Sequence, residues 1–283
     1  MKYDALGDFF ILQSALKNYY FEDFSFILNI KHKTIVRQFF PEIYNVIFLD
    51  KNKFLYNPIY TFFFLKKIAT NYSVVNLRST SLVYIEQLLI KITGSQKENK
   101  YFSYSLSDFQ RVNQILNYYL RRKSNSVKIK PKSQNYTLIS PFTSDSRRDY
   151  PLGKLLKYSQ KFNSKTKVVV ESIKKINNYI KAYPEVYFIE SNSLKNYIEL
   201  VKNANTIITN DSSAGHIGLF YNKSTHVFIG GGQPGQFFPY GDEEIDKNLT
   251  LISNNPDCSG CNWQCSFPLK NGLFKCVSEI KYQ

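Results

Sequence analysis

The sequence predicts an α/β protein of two parallel-sheet domains, each built of strands that alternate with helices. Three observations carry that expectation. The chain has 283 residues, more than one hydrophobic core usually holds, so two domains are the natural division. Short apolar, β-branched runs alternate with helical patterns in both halves, the pattern of strand–helix–strand units. Polar segments recur where those apolar runs end, which is where parallel sheets bind ligands. Hydrophobic residues make up 43% and charged residues 21%, so the chain can bury a core and a disordered chain is excluded.

In the first half, Gly7 and Asp8 open an apolar helical stretch from Phe9 to Tyr20. Phe24 to Ile30 reads as a buried strand, Thr34 to Phe40 as a short helix stopped by Pro41, and Asn45 to Asp50 as a second strand. Tyr60 to Tyr72 reads as a helix and Ser73 to Arg78 as a third strand. Leu82, Ile85, Leu88 and Leu89 share one side of a helix that Gly94 ends. A further helix spans 106–122. The basic Ser/Lys/Pro stretch 123–134 then breaks the pattern and reads as the linker, dividing the chain into domains 1–133 and 134–283.

The alternation resumes with a strand at Tyr136 to Ser140, a polar loop over 142–149 and a helix from Leu152 to Phe162. Lys167 to Val170 and Val186 to Ile189 are strands with a helix between them. Leu194, Tyr197, Ile198 and Val201 follow the i, i+3, i+4, i+7 spacing of an amphipathic helix. Thr206 to Thr209 is a strand that runs through a polar turn into a short apolar helix, Ile217 to Phe220. Thr225 to Ile229 is a last strand, ending in the glycine-rich segment Gly230 to Gly235.

The formal net charge of +15 favours an acidic partner: nucleic acid, an anionic membrane surface or a phosphorylated substrate. The densest basic cluster, 121–132, reads as a solvated linker. No run of about 18 apolar residues occurs, so no membrane span is expected. Asp4 and Asp8 interrupt the N-terminus and no cleavage site follows, so the expectation is a cytoplasmic protein in peripheral contact with the membrane face. The aromatic and basic segment Phe54 to Lys67 is a candidate for that contact, and its plainer reading is a buried helix.

Five constellations could carry chemistry. Asp211, Ser212, Ser213, Ala214, Gly215 and His216 lie at a strand–helix turn, where free backbone N–H groups and the helix dipole favour an anion. Small residues there let a ligand approach the backbone. The combination suits a ligand both phosphorylated and hydroxyl-rich, such as a nucleotide sugar; the plainer reading is a helix cap with a satisfied histidine. Asp8 is a carboxylate at a helix start, suited to take a proton from a hydroxyl, or simply an N-cap. Thr143 and Ser144 offer hydroxyls, and Arg147 and Arg148 offer forked cations matched to phosphate; a solvated loop is the plainer alternative. Phe237, Phe238 and Tyr240 either line a pocket or pack. Finally, Cys258, Cys261, Cys265 and Cys276 could close a tetrahedral metal site, or serve as buried thiols or a redox pair. Their clustering in a cytoplasmic chain argues against a disulfide framework.

Taken in order, these motifs resemble glycosyltransferase family 9, the ADP-heptose:lipopolysaccharide heptosyltransferases. Lys2 to Asp8 resembles the family's Arg-x-x-Ala-x-Gly-Asp, and Arg148 to Pro151 stands in the place of its Lys-x-Trp-Pro. Asn210 to His216 resembles its Asn/Asp-Asp-Ser/Thr-Gly-x-x-His element, with Ser213 where glycine is usual. The glycine-rich strand end and the terminal cysteine cluster also have counterparts. The resemblance covers nearly the whole chain.

The resemblance implies a GT-B fold, two Rossmann-like domains facing a cleft, and inverting transfer of a sugar, heptose from ADP-heptose, to a lipopolysaccharide core or other bacterial cell-surface glycan. It implies Asp8 as catalytic base, with Arg148, Thr143 and Ser144 on the diphosphate. It places Asp211 on sugar hydroxyls, Glu171 on the ribose, and the amides of Ser212 to Gly215 with His216 on sugar and diphosphate. No cofactor is required for catalysis, and a structural metal at the cysteines stays open. The implied partners are a nucleotide-sugar donor and an acidic, lipid-linked acceptor, with no nucleic acid. The family's first β-strand, which precedes the Lys2 motif, is missing here, so the expectation is a reading frame that extends upstream. Rival readings are a sugar epimerase of similar fold, an inactive or truncated family member, and a basic nucleic-acid-binding protein with a cysteine metal site.

Overall fold

The structure, a computed structural model, describes residues 6–21, 25–41, 43, 45–71, 106–119, 123, 134–254 and 256–282. The chain forms two compact units: Met1–Leu106 with Arg111–Ser126, and Ser107–Gln110 with Val127–Gln283. The sequence places the division after residue 133, inside the stretch 124–133 that lies outside the described residues.

In unit 1, helix α1 (Leu6–Leu16) already includes Gly7 and Asp8, so Asp8 sits within the first turn instead of capping it. A carboxylate is favoured there by the helix dipole. Phe9, Phe10, Ile11, Leu12, Ala15 and Leu16 are all buried, as expected of a helix that is apolar all round. Strands β1 (Phe26–Asn29) and β2 (Val46–Leu49) pair in parallel, Phe26 opposite Val46 and Asn29 opposite Leu49, with α2 (Lys33–Phe39) between them in sequence. After β2 comes a short helix absent from the sequence reading, α3 (Lys51–Tyr56). It forms because the Asp50 carboxylate accepts from the backbone of Asn52 and Lys53 at 3.0 and 3.1 Å. Helix α4 (Pro58–Asn71) then starts at a proline, whose fixed φ suits the first turn. Phe64 and Ile68 on its inner side join Leu49 and Phe54 in a small core. The expected strand Ser73 to Arg78 and helix Leu82 to Thr93 lie outside the described residues, as does Asp4. Helix α5 (Asp108–Tyr119) has its residues up to Gln110 in unit 2 and the rest in unit 1.

Unit 2 is a six-stranded parallel sheet in the order β5-β4-β3-β6-β7-β8, from β3 (Tyr136–Ser140), β4 (Lys165–Val170), β5 (Tyr187–Glu190), β6 (Thr206–Asn210), β7 (Ser224–Phe228) and β8 (Leu249–Ile252). The two middle strands, β3 and β6, are buried along their whole length. Both faces of such strands are covered, so they read as continuous β-favouring runs. The edge strands β5 and β8 are only half-buried, and β8 lacks the apolar run that would have announced it. The crossovers carry α6 (Leu152–Ser159), α7 (Asn177–Ala182), α8 (Leu194–Asn203) and α9 (Ser213–Phe220). Two short helices, α10 (Glu243–Asp246) and α11 (Lys275–Ser278), complete the unit.

Candidate functional site

β3 and β6 are neighbours, yet the chain continues from β3 to β4 on one side and from β6 to β7 on the other. Their two departing loops therefore separate at the carboxyl end of the sheet, the position where parallel α/β sheets leave a ligand crevice. Buried Asn210, the last residue of β6, fastens the two together. Its Oδ1 accepts from Tyr150 N at 3.2 Å and its Nδ2 donates to the carbonyl of Pro141. Thr209 Oγ1 donates to Ser140 O at 2.9 Å and shares a 2.8 Å hydrogen bond with Ser212 Oγ.

The loop after β3 separates its two arginines. Arg147 forms a forked pair with Asp145, at 2.9 and 2.8 Å, and lies over the Phe274 ring. Arg148 turns the other way. Its Nη2 donates to Ser144 Oγ at 2.8 Å, its guanidinium lies 5.3 Å from the Trp263 ring centre, and its buried Nε has no hydrogen-bond partner. Thr143 is taken up by the loop itself: its N–H donates to Asp149 at 2.8 Å and its hydroxyl to Asp145 O at 2.8 Å. Burial raises the pKa of Asp149, opposed by the Thr143 hydrogen bonds and the Arg148 charge.

At the turn after β6, Ser212 is the N-cap of α9, accepting from Ala214 N at 3.4 Å, while Gly215 N returns to Ser212 O at 3.2 Å. Ser213 is the first helical residue. Burial raises the pKa of Asp211, and the charge of Arg148, from the loop after β3, opposes that shift. His216 is buried and stacked on Phe238, ring centres 4.2 Å apart, and its Nδ1 hydrogen-bonds Tyr240 Oη at 2.9 Å. Burial drives its pKa down to about 3, so the ring is neutral at physiological pH and presents no cation to a phosphate. Gly215 permits that stack, since a Cβ there would stand 2.7 Å from Phe238 Cζ.

Beside the switch point lies a cleft of about 380 Å³, lined by Phe142, Val170, Glu171, Ser191, Leu194 and Tyr197 among others, within the size range of small-molecule sites. Glu171 is exposed just beyond the end of β4. Tyr197 Oη shares a 3.0 Å hydrogen bond with Ser140 Oγ and also bonds Ser213 and Ser212; burial pushes its pKa up. Tyr197 escaped the sequence reading because it lies on the apolar stripe of α8, where a tyrosine looks like core; its hydroxyl was the signal that it also needs a polar partner. Ser191 and Asn192, just past the end of β5, occupy the same strand-end position as the loops that were noticed.

Trp263 was also missed. Gly260 N and Asn262 N donate to Gly231 O and Gly232 O, both at 2.8 Å, which lays the cysteine segment over the glycine loop. Gly232 is required there, because a Cβ would meet the Trp263 indole at 2.3 Å. Cys258, Cys261 and Cys265 are half-buried and Cys276 is buried, all as free thiols. Burial raises the Cys276 pKa, the Gly231 N–H bond opposes it, and the nearby charges of the other three cysteines add to it. Among the described residues, no group of three or more His, Cys, Asp or Glu is arranged to hold a metal ion. Asp8, half-buried in the first turn of α1, belongs to unit 1.

No sequence-family profile matches the chain, and no curated protein matches it. Solved structures do. The E. coli heptosyltransferase WaaC with ADP is similar at a TM-score of 0.66 and 11% identity, over 88% of this chain and 90% of the other. E. coli ADP-heptose lipopolysaccharide heptosyltransferase II matches at 0.56 and 12% identity, over 91% and 93%. A glycosyltransferase family 9 structure from Veillonella parvula matches at 0.59 and 12% identity, over 87% and 82%. The chain therefore has the GT-B-like α/β fold of the heptosyltransferases.

Proposed function

We propose that this protein is a family 9 glycosyltransferase that takes a sugar from a nucleoside diphosphate sugar bound in unit 2. The observation that carries the reading is Arg148: a guanidinium held by Trp263 and Ser144 at the sheet's switch point, with a buried, unpartnered Nε. A forked cation so placed suits diphosphate oxygens. In this reading the nucleoside lies in the adjoining cleft with Glu171 on its ribose, and the sugar faces Asp211 and the start of α9. Ser144 and Thr143 border the diphosphate, while Ser212, Ser213, Ala214 and Gly215 form the helix start beneath it. His216 acts as a neutral hydrogen-bonding group and as the support of that helix. The likeness of fold to WaaC, which is described with ADP, supports an adenine nucleotide, and ADP-heptose is the donor we infer.

The acceptor is a lipid-linked glycan, a lipopolysaccharide core or a related cell-surface glycan. Its hydroxyl oxygen attacks the anomeric carbon as the bond to the diphosphate breaks, and Asp8 takes the hydroxyl proton. The nucleoside diphosphate leaves, and Arg148 carries the charge that develops on it. Attack from the face opposite the leaving group inverts the anomeric centre. No cofactor takes part, and the cysteine cluster serves structurally by seating Trp263. The net charge of +15 suits a phosphorylated acceptor.

Trp263 supplies the test. It is the chain's single tryptophan, and it touches the arginine assigned to the diphosphate. Titration with ADP-, UDP- and GDP-sugars should change its fluorescence saturably, most tightly for ADP-heptose. No change with any nucleotide sugar, together with no shift in melting temperature, would sink the reading.

A further inference from the structure

Trp263 carries a second unpartnered donor beside the one on Arg148. Its indole Nε1 is buried and has no hydrogen-bond partner, and the same is true of Arg148 Nε. The two side chains form one stacked pair, the guanidinium carbon 5.3 Å from the ring centre. A buried N–H without an acceptor is costly and rare in folded proteins, so two of them in one contact call for a physical cause.

The backbone holds the indole there against a cost. Asn262 and Trp263 both lie in the left-handed region, at φ 51° and 64°. Asparagine tolerates that region, and a bulky aromatic residue is seldom found in it. Such a conformation persists only where its surroundings fix it. Here Asn262 N donates to Gly232 O at 2.8 Å and Gln264 N to Cys261 O at 2.9 Å. Gly230 also leaves room for the ring, since a Cβ there would stand 3.0 Å from it. Trp263 meets Phe274 as well, ring centres 5.3 Å apart, and Arg147 lies 4.8 Å from the Phe274 centre. The four side chains make a ladder, Arg147–Phe274–Trp263–Arg148. At its first end Asp145 answers the charge of Arg147 through the forked pair. At its other end, among the described residues, Ser144 is the hydrogen-bond partner of the Arg148 side chain, and two buried donors stay unpaired.

Resting on the donor reading given above, we infer that the indole N–H of Trp263 itself binds the nucleoside diphosphate, donating to a diphosphate oxygen alongside the Arg148 guanidinium. The chemistry of the two groups selects this ligand. Indole and guanidinium nitrogens only donate, so the partner they take is an acceptor, and the cation favours a negative one. A sugar hydroxyl would leave the charge of Arg148 unanswered. A diphosphate offers charged oxygens on two linked phosphorus atoms, enough for both donors. Both nitrogens are closed to water while their side chains stay half-exposed, so an entering oxygen has to turn the Arg148 side chain to reach them.

Calorimetric titration of the full chain with ADP, and separately with adenosine, tests it. Trp263 is replaced by benzothienylalanine, which keeps the shape of the ring and puts sulfur in place of the N–H. ADP should bind about 10- to 100-fold more weakly, the worth of a hydrogen bond to a charged group. Adenosine, which has no phosphate, should bind as before. The melting temperature without nucleotide should hold or rise, because the change removes a buried donor that lacks an acceptor. Trp263→Phe, which keeps an aromatic face for Arg148 and has no N–H, should repeat the loss for ADP. Unchanged ADP affinity in both variants would overturn the inference. So would an equal loss for adenosine, or a fall in melting temperature that accompanies the loss for ADP, since a purely structural N–H gives that pattern. Arg148→Ala separates the two levels. If it loses ADP and the ring variants keep it, only the part of Trp263 is wrong. If it binds ADP as the native chain does, or the native chain binds none, the donor reading itself fails and this inference with it.

Discussion

Arg148, Asp8 and His216 make three different single-residue predictions. Arg148→Ala should weaken nucleoside diphosphate binding by about 1.5–3 kcal/mol, the worth of hydrogen bonds to a charged group, measured by calorimetric titration. Arg148→Lys should restore only part of it, because an ammonium is a point charge without the fork and without the flat face that lies on Trp263. Asp8→Asn should leave that affinity alone and lower turnover by roughly 10²–10⁴-fold, the usual contribution of an acid–base group; near-native turnover would remove Asp8 from the mechanism. His216 predicts a pH effect on stability. Its folded pKa of about 3 lies below the ordinary histidine value, so the unfolded chain binds the proton first. Stability is then whole above about pH 6.5 and falls as pH drops toward 3, by roughly 1.4 kcal/mol for each pH unit in that window. His226, held at about 4 by burial and then by the charge of Lys161, acts in the same direction. Acid unfolding of His216→Asn should therefore show a shallower slope between these values than the native chain.

At the scale of elements, the proposed donor site depends on two supports, one directly beneath the ligand and one behind Arg148. The first is the start of α9, capped by Ser212; Ser212→Ala should cost about 1 kcal/mol of stability, read from thermal melting. The second is the cysteine segment. Gly232→Ala would push a methyl into Trp263, and Trp263 carries Arg148. The expected result is a loss of nucleotide affinity together with an altered Trp263 emission maximum; unchanged affinity would show that Arg148 holds its place without the indole. Most elements were legible in the sequence because hydrophobic period speaks for itself in buried strands and amphipathic helices. β6, α8 and the Pro58 helix are of this kind. The edge strand β8 and the short helices α3, α10 and α11 were not, since a half-exposed strand carries little apolar pattern, α3 and α10 are decided by their Asp50 and Asp242 caps, and four-residue α11 is too short to show a period.

For the whole molecule, ligand binding should register in unit 2. A nucleotide at a hundredfold excess over its dissociation constant adds about 2.7 kcal/mol to the unit that binds it. Unfolding followed by Trp263, which lies in unit 2, should shift upward accordingly; an unshifted transition at saturating nucleotide would remove the donor from this unit. The sequence by itself determined the α/β class, the parallel alternation and the strand ends where chemistry gathers, because period and turn composition are local properties that survive without a fold. It also carried the order of motifs that resembles a family, although only the likeness of whole folds at 11–12% identity matched any known protein. Tertiary structure alone decided which of two adjacent arginines is paired with Asp145 and which is set on Trp263. It alone decided that His216 is buried and neutral, and that Tyr197 reaches the turn at Ser212 and Ser213. Those outcomes depend on residues distant in the chain, such as Arg148 and Trp263, meeting in a common low-dielectric interior, and no local pattern records which side chains will share it. The same holds for the face of α4: the composition of Phe54 to Lys67 reads most plainly as a buried helix, and only the packing of Phe64 and Ile68 with Leu49 and Phe54 turned Phe62 and Phe63 outward.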